Sequence, residues 1–284
     1  RADPNAYIDE LFQRAIFAGH PASIPVLGTP ETISGLSPDS IAGTRARFWA
    51  ASNLALTIAG RIRPDEALAL AAEYFGNLFS GSANVRAPAT PTGSPFGDAV
   101  RATAGRQQAV FRVGYLAPSL LDDDRYPMAV LNAVTSGSSG RLFREIRSAR
   151  GLAYVAGSGY SPLSDTGAWF ATAGVDPDNL DAALSVTRDL IEQLREQAPS
   201  SGETSDRQGE IAGRQILADE TNEARVGRLA SQELLGTVAT DEYVRRVRAV
   251  TPDDVLRVAT TYLDPSSALV VIVQPESTSP TGPP

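Results

Sequence analysis

A helix-then-strand pattern that occurs twice is the feature that most restricts how this sequence can fold. Ser37-Pro38-Asp39 is typical of a helix start, and an apolar run begins sixteen residues after Ser37, at Asn53. Thr251-Pro252-Asp253 repeats the helix start, and a second apolar run follows at the same spacing. Because this helix start is common, the repeat does not identify a function. Two copies at so long a period predict two similar domains and not a solenoid.

Unequal lengths of chain precede the two copies. About 150 residues separate the second copy from the preceding Gly-, Ser- and Pro-rich stretch, but only 36 residues precede the first copy. We therefore expect the first domain to be N-terminally incomplete. The predicted division is a first-domain remainder at 1–80, a linker at 81–98, a second domain at 99–275 and a disordered, Pro-rich tail at 276–284.

The hydrophobic pattern predicts the secondary structure of both halves. Apolar residues at helical spacing predict helices over 5–17, 37–51, 64–79, 124–134, 141–148, 179–197, 205–235, 241–249 and 253–262. Short apolar runs predict strands over 53–59, 107–116, 152–159, 167–174 and 268–273. We expect the first and last of these strands to occupy equivalent places in the two domains.

Composition and charge exclude several classes of site. The chain has a net charge of −8, so a basic surface for nucleic acid is not expected. It contains no cysteine, which excludes disulfides, thiolate nucleophiles and cysteine-based metal sites. No apolar run approaches the roughly 18 residues of a membrane span, so no span is expected.

The single histidine, His20, limits what metal chemistry is possible. A His-Glu-x-x-His zinc site needs two imidazoles on one face of a helix, and the chain has one histidine. A Ser-His-Asp triad would need the same His20, and no Gly-x-Ser-x-Gly turn accompanies it. Because His20 lies between Gly19 and Pro21, we interpret it as a loop-packing or capping residue.

Three passages follow a recognisable pattern: Ser139–Tyr154, with the sequence SGRLFREIRSARGLAY, Phe17–Pro21 with Leu27–Glu31, and Val250–Val255 with Tyr262–Asp264. The first is similar to the signature of the C-terminal domain of the pitrilysin-type (M16) zinc peptidases, which include insulin-degrading enzyme and the mitochondrial processing peptidase. The other two resemble further passages of the same family in the same order. The resemblance therefore covers nearly the whole chain.

The resemblance implies an α+β fold of two homologous domains around a chamber. Each domain would have a mainly antiparallel sheet with helices on one face, as in LuxS and the mitochondrial processing peptidase. In active relatives the zinc ligands precede the passage that corresponds here to residues 3–21. The resemblance thus implies no zinc or other cofactor in this chain, and zinc on a missing segment or on a partner subunit.

The resemblance also implies two site residues, Arg147 and Tyr154, which lie seven residues apart. In the family this pair binds the substrate backbone and stabilises the oxyanion, and a charged fork of donors with a phenolic O–H suits that chemistry. The residues alone favour a different reading, in which Arg147 solvates a helix end and Tyr154 packs in a strand, and only the surrounding motif favours an active-site position. We interpret Arg141, Arg144 and Arg150 as solvated surface residues.

Three functions stay open at the level of the sequence. The chain, as a homodimer or a heterodimer with a zinc-bearing M16 subunit, could supply Arg147 and Tyr154 for hydrolysis of a peptide substrate. It could instead be a catalytically inactive structural or assembly protein. A third reading is a module that holds unfolded peptides without cutting them. The compartment, periplasmic or cytoplasmic, is not determined by the sequence.

Overall fold

A computed structural model of the chain describes residues 4–81, 91, 100–103 and 108–275. By their contacts the residues group into two compact units. Unit 1 comprises Arg1–Pro25, Ala89–Ile211 and Arg246–Pro284, and unit 2 comprises Val26–Pro88 and Ala212–Arg245. Apart from residues 81 and 91, the predicted linker lies outside the described residues, as does the predicted tail.

The α-helices of the described residues follow the predicted pattern closely. They are α1 (Pro4–Ile16), α2 (Pro30–Ser34), α3 (Pro38–Phe48), α4 (Pro64–Phe75), α5 (Arg125–Thr135), α6 (Leu180–Glu196), α7 (Ser201–Ala218), α8 (Asn222–Leu235), α9 (Thr240–Arg248) and α10 (Pro252–Tyr262). Ser37 and Thr251 cap α3 and α10 through capping boxes, as their sequence motifs predict. None of these helices is both long and apolar enough to cross a membrane.

Unit 1 is built on a five-stranded sheet. Its strands are β1 (Val100–Thr103), β2 (Ala109–Ala117), β3 (Ala153–Pro162), β4 (Gly167–Val175) and β5 (Leu269–Gln274), in the spatial order β1-β5-β2-β4-β3. β1 pairs with β5 in parallel, and the other three pairings are antiparallel. The sequence predicted four of the strands and missed β1. The α+β class with a mainly antiparallel sheet is confirmed.

Helices contact the sheet of unit 1 from α1 and from the group α5, α6 and α10. Ile8, Phe12 and Ile16 of α1 form one hydrophobic cluster with Val110 of β2 and with apolar residues of β5. Because side chains alternate along a strand, the neighbouring β2 residue Phe111, which is fully buried, faces the other side of the sheet. α1 therefore covers one face of the sheet, in addition to the contacts that α5, α6 and α10 make with the sheet.

The contact grouping differs from the predicted domain boundaries at the start of the chain. Residues 1–25 group with the sheet of unit 1, whereas the sequence places all of 1–80 in a first domain. Contacts and not homology define the two units. The division into a first-domain remainder at 1–80 and a second domain at 99–275 thus stays a prediction.

Unit 2 contains α2, α3, α4 and α8, and polar contacts connect its segments. Asp219 accepts hydrogen bonds from Arg228 and from Thr240, and these bonds hold its pKa below the usual range. Thr57 donates a hydrogen bond to the carbonyl of Val226 over 3.1 Å. Large apolar side chains are nevertheless exposed on this unit, including Val26, Leu27, Leu68, Tyr74 and Phe79.

Two predicted elements are wrong. Residues 53–59, predicted as a strand, form no strand: Asn53 ends a 3₁₀ turn, and Leu54, Leu56 and Ile58 are exposed. A strand needs a neighbour for its N–H and C=O groups, and the described residues of unit 2 contain no other strand. The strand itself is thus wrong, and the equivalence of this segment with β5 in a second domain stays a prediction. The helix predicted over 205–235 is divided into α7 and α8, since Thr221 caps a new helix.

Candidate functional site

The segment that carries Arg147 is a π-helical turn over Phe143–Ser148 and not the regular helix that the sequence predicts. The N–H of Ala149 donates to the carbonyl of Arg144 over 2.8 Å, five residues earlier. Ile146, which is only 1% exposed, anchors the turn in the core. π-Helical turns occur frequently at functional sites, because they present a side chain that a regular helix would turn away.

Gly151 ends this segment in the left-handed backbone conformation, with a φ of 64°. Its N–H donates to the carbonyl of Arg147, and the N–H of Leu152 donates to that of Ile146, both over 2.9 Å. A residue with a Cβ would be strained in this conformation. Gly151 thus directs the chain straight from the π-helical turn into β3.

Arg147 is exposed, and its guanidinium carbon lies 4.9 Å from the centre of the Phe143 ring. No carboxylate among the residues that the structure describes lies within ion-pair distance of Arg147. A guanidinium carries five N–H donors that match a carboxylate or a peptide carbonyl. Arg147 therefore presents a positive charge whose donors are available to a ligand.

The three neighbouring arginines differ from Arg147 because each has an acidic partner. Arg141 donates two hydrogen bonds to Glu203, over 3.1 and 2.5 Å, and Arg144 lies 3.9 Å from the same carboxylate. Arg150 contacts Glu145 at 2.5 Å. The interpretation of Arg141 as a solvated surface residue is wrong, since its side chain is only 20% exposed.

Tyr154 lies at a β-bulge in β3. Ala153 pairs with Val175 of β4, and Val155 pairs with Gly174, so two steps along β3 match one step along β4. Tyr154 is the extra residue, and its side chain is 52% exposed. Bulges redirect a side chain and are common next to active sites. The structure thus places Tyr154 in β3 with its side chain at the surface.

The hydroxyl of Tyr154 is hydrogen-bonded to Asp176, the residue that follows β4. It lies 3.0 Å from both carboxylate oxygens of Asp176. This hydrogen bond, together with the negative charge of Asp176, raises the pKa of the Tyr154 phenol above its ordinary value. Tyr154 is therefore protonated at neutral pH and can act as a hydrogen-bond donor.

Arg147 and Tyr154 belong to segments that pack against each other, the π-helical turn and β3. Both residues are exposed, and each lies where the backbone departs from a regular element. That the two side chains reach a single ligand together, on the wall of a chamber, stays a prediction.

A polar groove of about 720 Å³ lies beside the same segment, between the π-helical turn, α6 and α7. Its charged lining includes Arg141, Arg144 and Glu203. The hydrogen bonds from Arg141 hold the pKa of Glu203 below its ordinary range. The full lining carries three arginines and three acidic residues: Arg141, Arg144, Arg207, Glu145, Glu203 and Asp206. Its formal charges therefore cancel, and the groove favours a charged ligand less than Arg147 does.

His20 has the capping role that the sequence predicts. It is 5% exposed, and its Nδ1 accepts a hydrogen bond of 3.0 Å from the N–H of Ala22. Its Nε2 lies 3.2 Å from a carboxylate oxygen of Asp165. Both ring nitrogens thus have protein partners, which leaves neither free to bind a metal.

The part of the chain that the structure describes contains no group of three or more His, Cys, Asp or Glu residues placed to hold a metal ion. Zinc prefers a set of nitrogen, sulfur or carboxylate ligands in a tetrahedral arrangement. The described residues therefore do not fit a catalytic zinc ion, and any zinc would need ligands from elsewhere.

Asp176 is a site residue that reasoning from the sequence missed. The turn between β3 and β4 fixes an antiparallel register, in which Tyr154 falls near the end of β4. An acidic residue directly after that strand, followed by Pro177, is visible in the sequence. This combination could have identified Asp176 as a neighbour of Tyr154.

Comparisons with known proteins connect this geometry to one family. The family described as the peptidase M16 inactive domain matches residues 35–207. An uncharacterized zinc protease of Streptomyces coelicolor is 29% identical over 282 residues, which cover 95% of this chain and 61% of that protein. The chain thus spans about three fifths of the length of this relative.

Solved structures of low sequence identity share the fold. A peptidase M16 inactive domain from Pseudomonas fluorescens has a TM-score of 0.85 at 20% identity, covering 96% of this chain and 66% of that one. A chain of complex III2 from Candida albicans has a TM-score of 0.80 at 18% identity, with coverages of 96% and 67%. At such identities the likeness extends to the fold alone.

Proposed function

Because the chain belongs to the peptidase M16 family, we propose that it is the part of an M16 zinc peptidase that binds the peptide substrate and stabilises the oxyanion. The observation that carries this proposal is the exposed Arg147, which lacks an acidic partner among the described residues. An uncompensated guanidinium, on a turn that packs against the strand with the surface tyrosine, is suited to a ligand with carbonyl oxygens.

Each residue has a distinct role in this proposal. Arg147 donates hydrogen bonds to carbonyl groups of the bound peptide and holds its backbone before and during the reaction. Tyr154 donates its single O–H to the oxygen of the scissile carbonyl, on which negative charge develops in the transition state. The exposure of Tyr154 supports this role, since a phenol is protonated at neutral pH and its O–H is within reach of a ligand.

The zinc that this chemistry requires would be bound outside the described residues, on a further segment or on a partner subunit of the same family. Bound zinc would polarise the scissile carbonyl and activate a water molecule. The exposed apolar side chains of unit 2, such as Val26 and Leu27 at 93% and 87% exposure, support a covering polypeptide. Apolar patches of this kind mark interaction surfaces.

An inactive structural or assembly role is the second candidate function. The fold that the chain shares with a chain of complex III2 supports it. The hydrogen bond between Tyr154 and Asp176 is also compatible with this role, because the hydroxyl already has an acceptor. In that case the Arg147 and Tyr154 side chains would not affect any peptide reaction.

Peptide binding by the chain itself tests the first proposal. An unstructured, fluorescently labelled peptide should bind the chain, and Arg147→Ala should weaken binding by about tenfold, as expected for a lost charge-assisted hydrogen bond. Arg144→Ala is the matched control, since Arg144 is exposed and lies one turn earlier. Equal affinity for the Arg147 variant and the unsubstituted chain would contradict the proposal.

Catalysis requires the zinc-bearing segment or partner, so a second test uses the reconstituted peptidase. Tyr154→Phe removes one oxyanion donor and should lower kcat by about 10²-fold. Tyr74→Phe is the control, because Tyr74 is an exposed tyrosine of α4 in unit 2. If kcat is the same for both variants, the assembly role is preferred.

A further inference from the structure

The bulge in β3 determines where Tyr154 points. Along this strand Ala153 and Ala156 are 8% and 5% exposed, whereas Tyr154 and Val155 between them are 52% and 59% exposed. A regular strand would turn one of the two middle residues toward the core. The extra residue of the bulge allows both to face outward. Tyr154 is thus held at the surface by the backbone and not by packing of its ring.

Asp176 is fixed by the backbone on the other side of the hairpin. It directly follows β4, and its φ of −66° and ψ of 144° lie in the region to which a following proline, here Pro177, restricts a residue. Asp176 also occupies the position before the 3₁₀ turn Pro177–Asn179, where an aspartate often caps the turn. Within the described structure it makes no such capping bond. Its carboxylate instead accepts the hydrogen bond from Tyr154.

We infer that Asp176 is a positioning residue for Tyr154, whose carboxylate accepts the phenolic hydrogen bond and orients the ring at the end of the β3–β4 hairpin. The inference deepens the proposed function and rests on it for its catalytic meaning. Both carboxylate oxygens lie at the same distance of 3.0 Å from the hydroxyl, so rotation of the carboxylate preserves the bond.

The hydrogen bond also defines what a peptide must do to reach Tyr154. A phenol has one O–H and donates to one strong acceptor at a time. A carboxylate is a stronger acceptor than a neutral carbonyl. Tyr154 therefore donates its hydrogen bond to Asp176 in the absence of a peptide. It donates to the substrate oxygen instead when negative charge develops on that oxygen.

Titration of Tyr154 in the chain as it stands tests this inference without any zinc. Tyrosinate absorbance near 295 nm is followed with pH, and the curve of Tyr154→Phe is subtracted to isolate Tyr154. In Asp176→Asn the titration midpoint of Tyr154 should move to lower pH, because the negative acceptor that favours the protonated phenol is lost. In Asp176→Glu, which keeps the negative charge, the midpoint should lie between that of Asp176→Asn and that of the unsubstituted chain. Circular dichroism shows that each variant is folded.

Asp178→Asn is the matched control, since it removes the same charge from an exposed residue two positions later. Its titration curve should coincide with that of the unsubstituted chain. An unchanged midpoint in Asp176→Asn, or an equal shift in Asp178→Asn, would overturn the inference. Peptide binding measured on the same variants reports separately on the proposed function. A shifted midpoint without peptide binding by any variant would support the positioning role and refute the proposed function.

Discussion

Gly114 of β2 lies against the Phe12 ring of α1, so Gly114→Ala is a sharp test of this packing. A Cβ atom at Gly114 would lie 2.2 and 2.4 Å from two carbon atoms of the Phe12 ring. Carbon atoms in contact are normally separated by about 3.5–4.0 Å. The substitution therefore forces the Phe12 ring or the whole of α1 to move.

The surroundings of Phe12 allow little movement. Its side chain is 4% exposed, and its ring centre lies 5.3 Å from that of Phe170 in an edge-to-face arrangement. The guanidinium of Arg112 lies 4.2 Å from the centre of the Phe170 ring, and Arg112 is paired with Asp9 of α1. Overpacking of such a core costs about 1–3 kcal/mol, and we expect Gly114→Ala to lower the free energy of unfolding by that amount.

Gly157→Ala is the matched control for this measurement. Gly157 lies in β3 of the same sheet, and a Cβ there would meet no atom within 4 Å. Because glycine weakens a strand, Gly157→Ala should leave stability unchanged or raise it by about 0.5 kcal/mol. Urea unfolding followed by the emission of Trp169, which is fully buried in the sheet, measures both variants. A Trp49→Phe background removes the second tryptophan.

A double-mutant cycle tests whether the Phe12 contact causes the loss of stability in Gly114→Ala. Phe12→Leu should destabilise the chain less in the Gly114→Ala background than in the native one, with a coupling of about 1 kcal/mol. Equal stabilities for Gly114→Ala and Gly157→Ala would refute the contact between α1 and β2. The grouping of residues 1–25 with the sheet would then be wrong, and the predicted domain of residues 1–80 would be favoured.

Two further predictions concern carboxylates whose pKa is lowered in the folded state. Glu203→Gln should cost about 2 kcal/mol at neutral pH, as expected for hydrogen bonds to a charged partner. A carboxylate whose pKa is lowered by folding stabilises the chain at a pH above its unfolded pKa. The stability lost in Glu203→Gln should therefore shrink as pH falls below the ordinary value of 4.5. Urea unfolding at several pH values measures this change. Asp124→Asn should cost about 1 kcal/mol, since Asp124 accepts hydrogen bonds from Arg257 and Tyr262. Asp123→Asn, whose carboxylate is 86% exposed, should cost less in the same urea unfolding assay, and an equal cost would contradict the role of Asp124 in joining α5 to α10.

Local features of the fold could be predicted because their causes are local. Ser37 and Thr251 precede a proline and an acidic residue, and their side chains cap the helices that follow. The break between α7 and α8 depends on a similar cap at Thr221, but a continuous apolar pattern concealed it. An N-cap residue inside a long apolar periodic stretch therefore indicates that one helix ends and another begins there.

Non-local features could not be predicted from patterns along the chain. The apolar run at residues 53–59 has the composition of a strand, yet strand formation depends on a pairing partner, whose position in the sequence is not fixed. For α1, the spacing of Ile8, Phe12 and Ile16 indicates a helix with one apolar face. This spacing contains no information on which sheet the apolar face covers. The close contact between Gly114 of β2 and Phe12 of α1 is visible only in the structure.

At the candidate site the family motif identified Arg147 and Tyr154, but the backbone that presents them follows no regular period. The π-helical turn and the β-bulge each contain one residue more than a regular element would. Such irregularities weaken the local hydrogen-bond pattern, and they persist where surrounding structure holds them, as the buried Ile146 does for the π-helical turn. Because the motif specifies residue types and not register, it could not reveal that Tyr154 already has an acceptor. The exposed tyrosine thus gains its acceptor from the end of the neighbouring strand, and replacing Asp176 should alter Tyr154 while the motif stays intact.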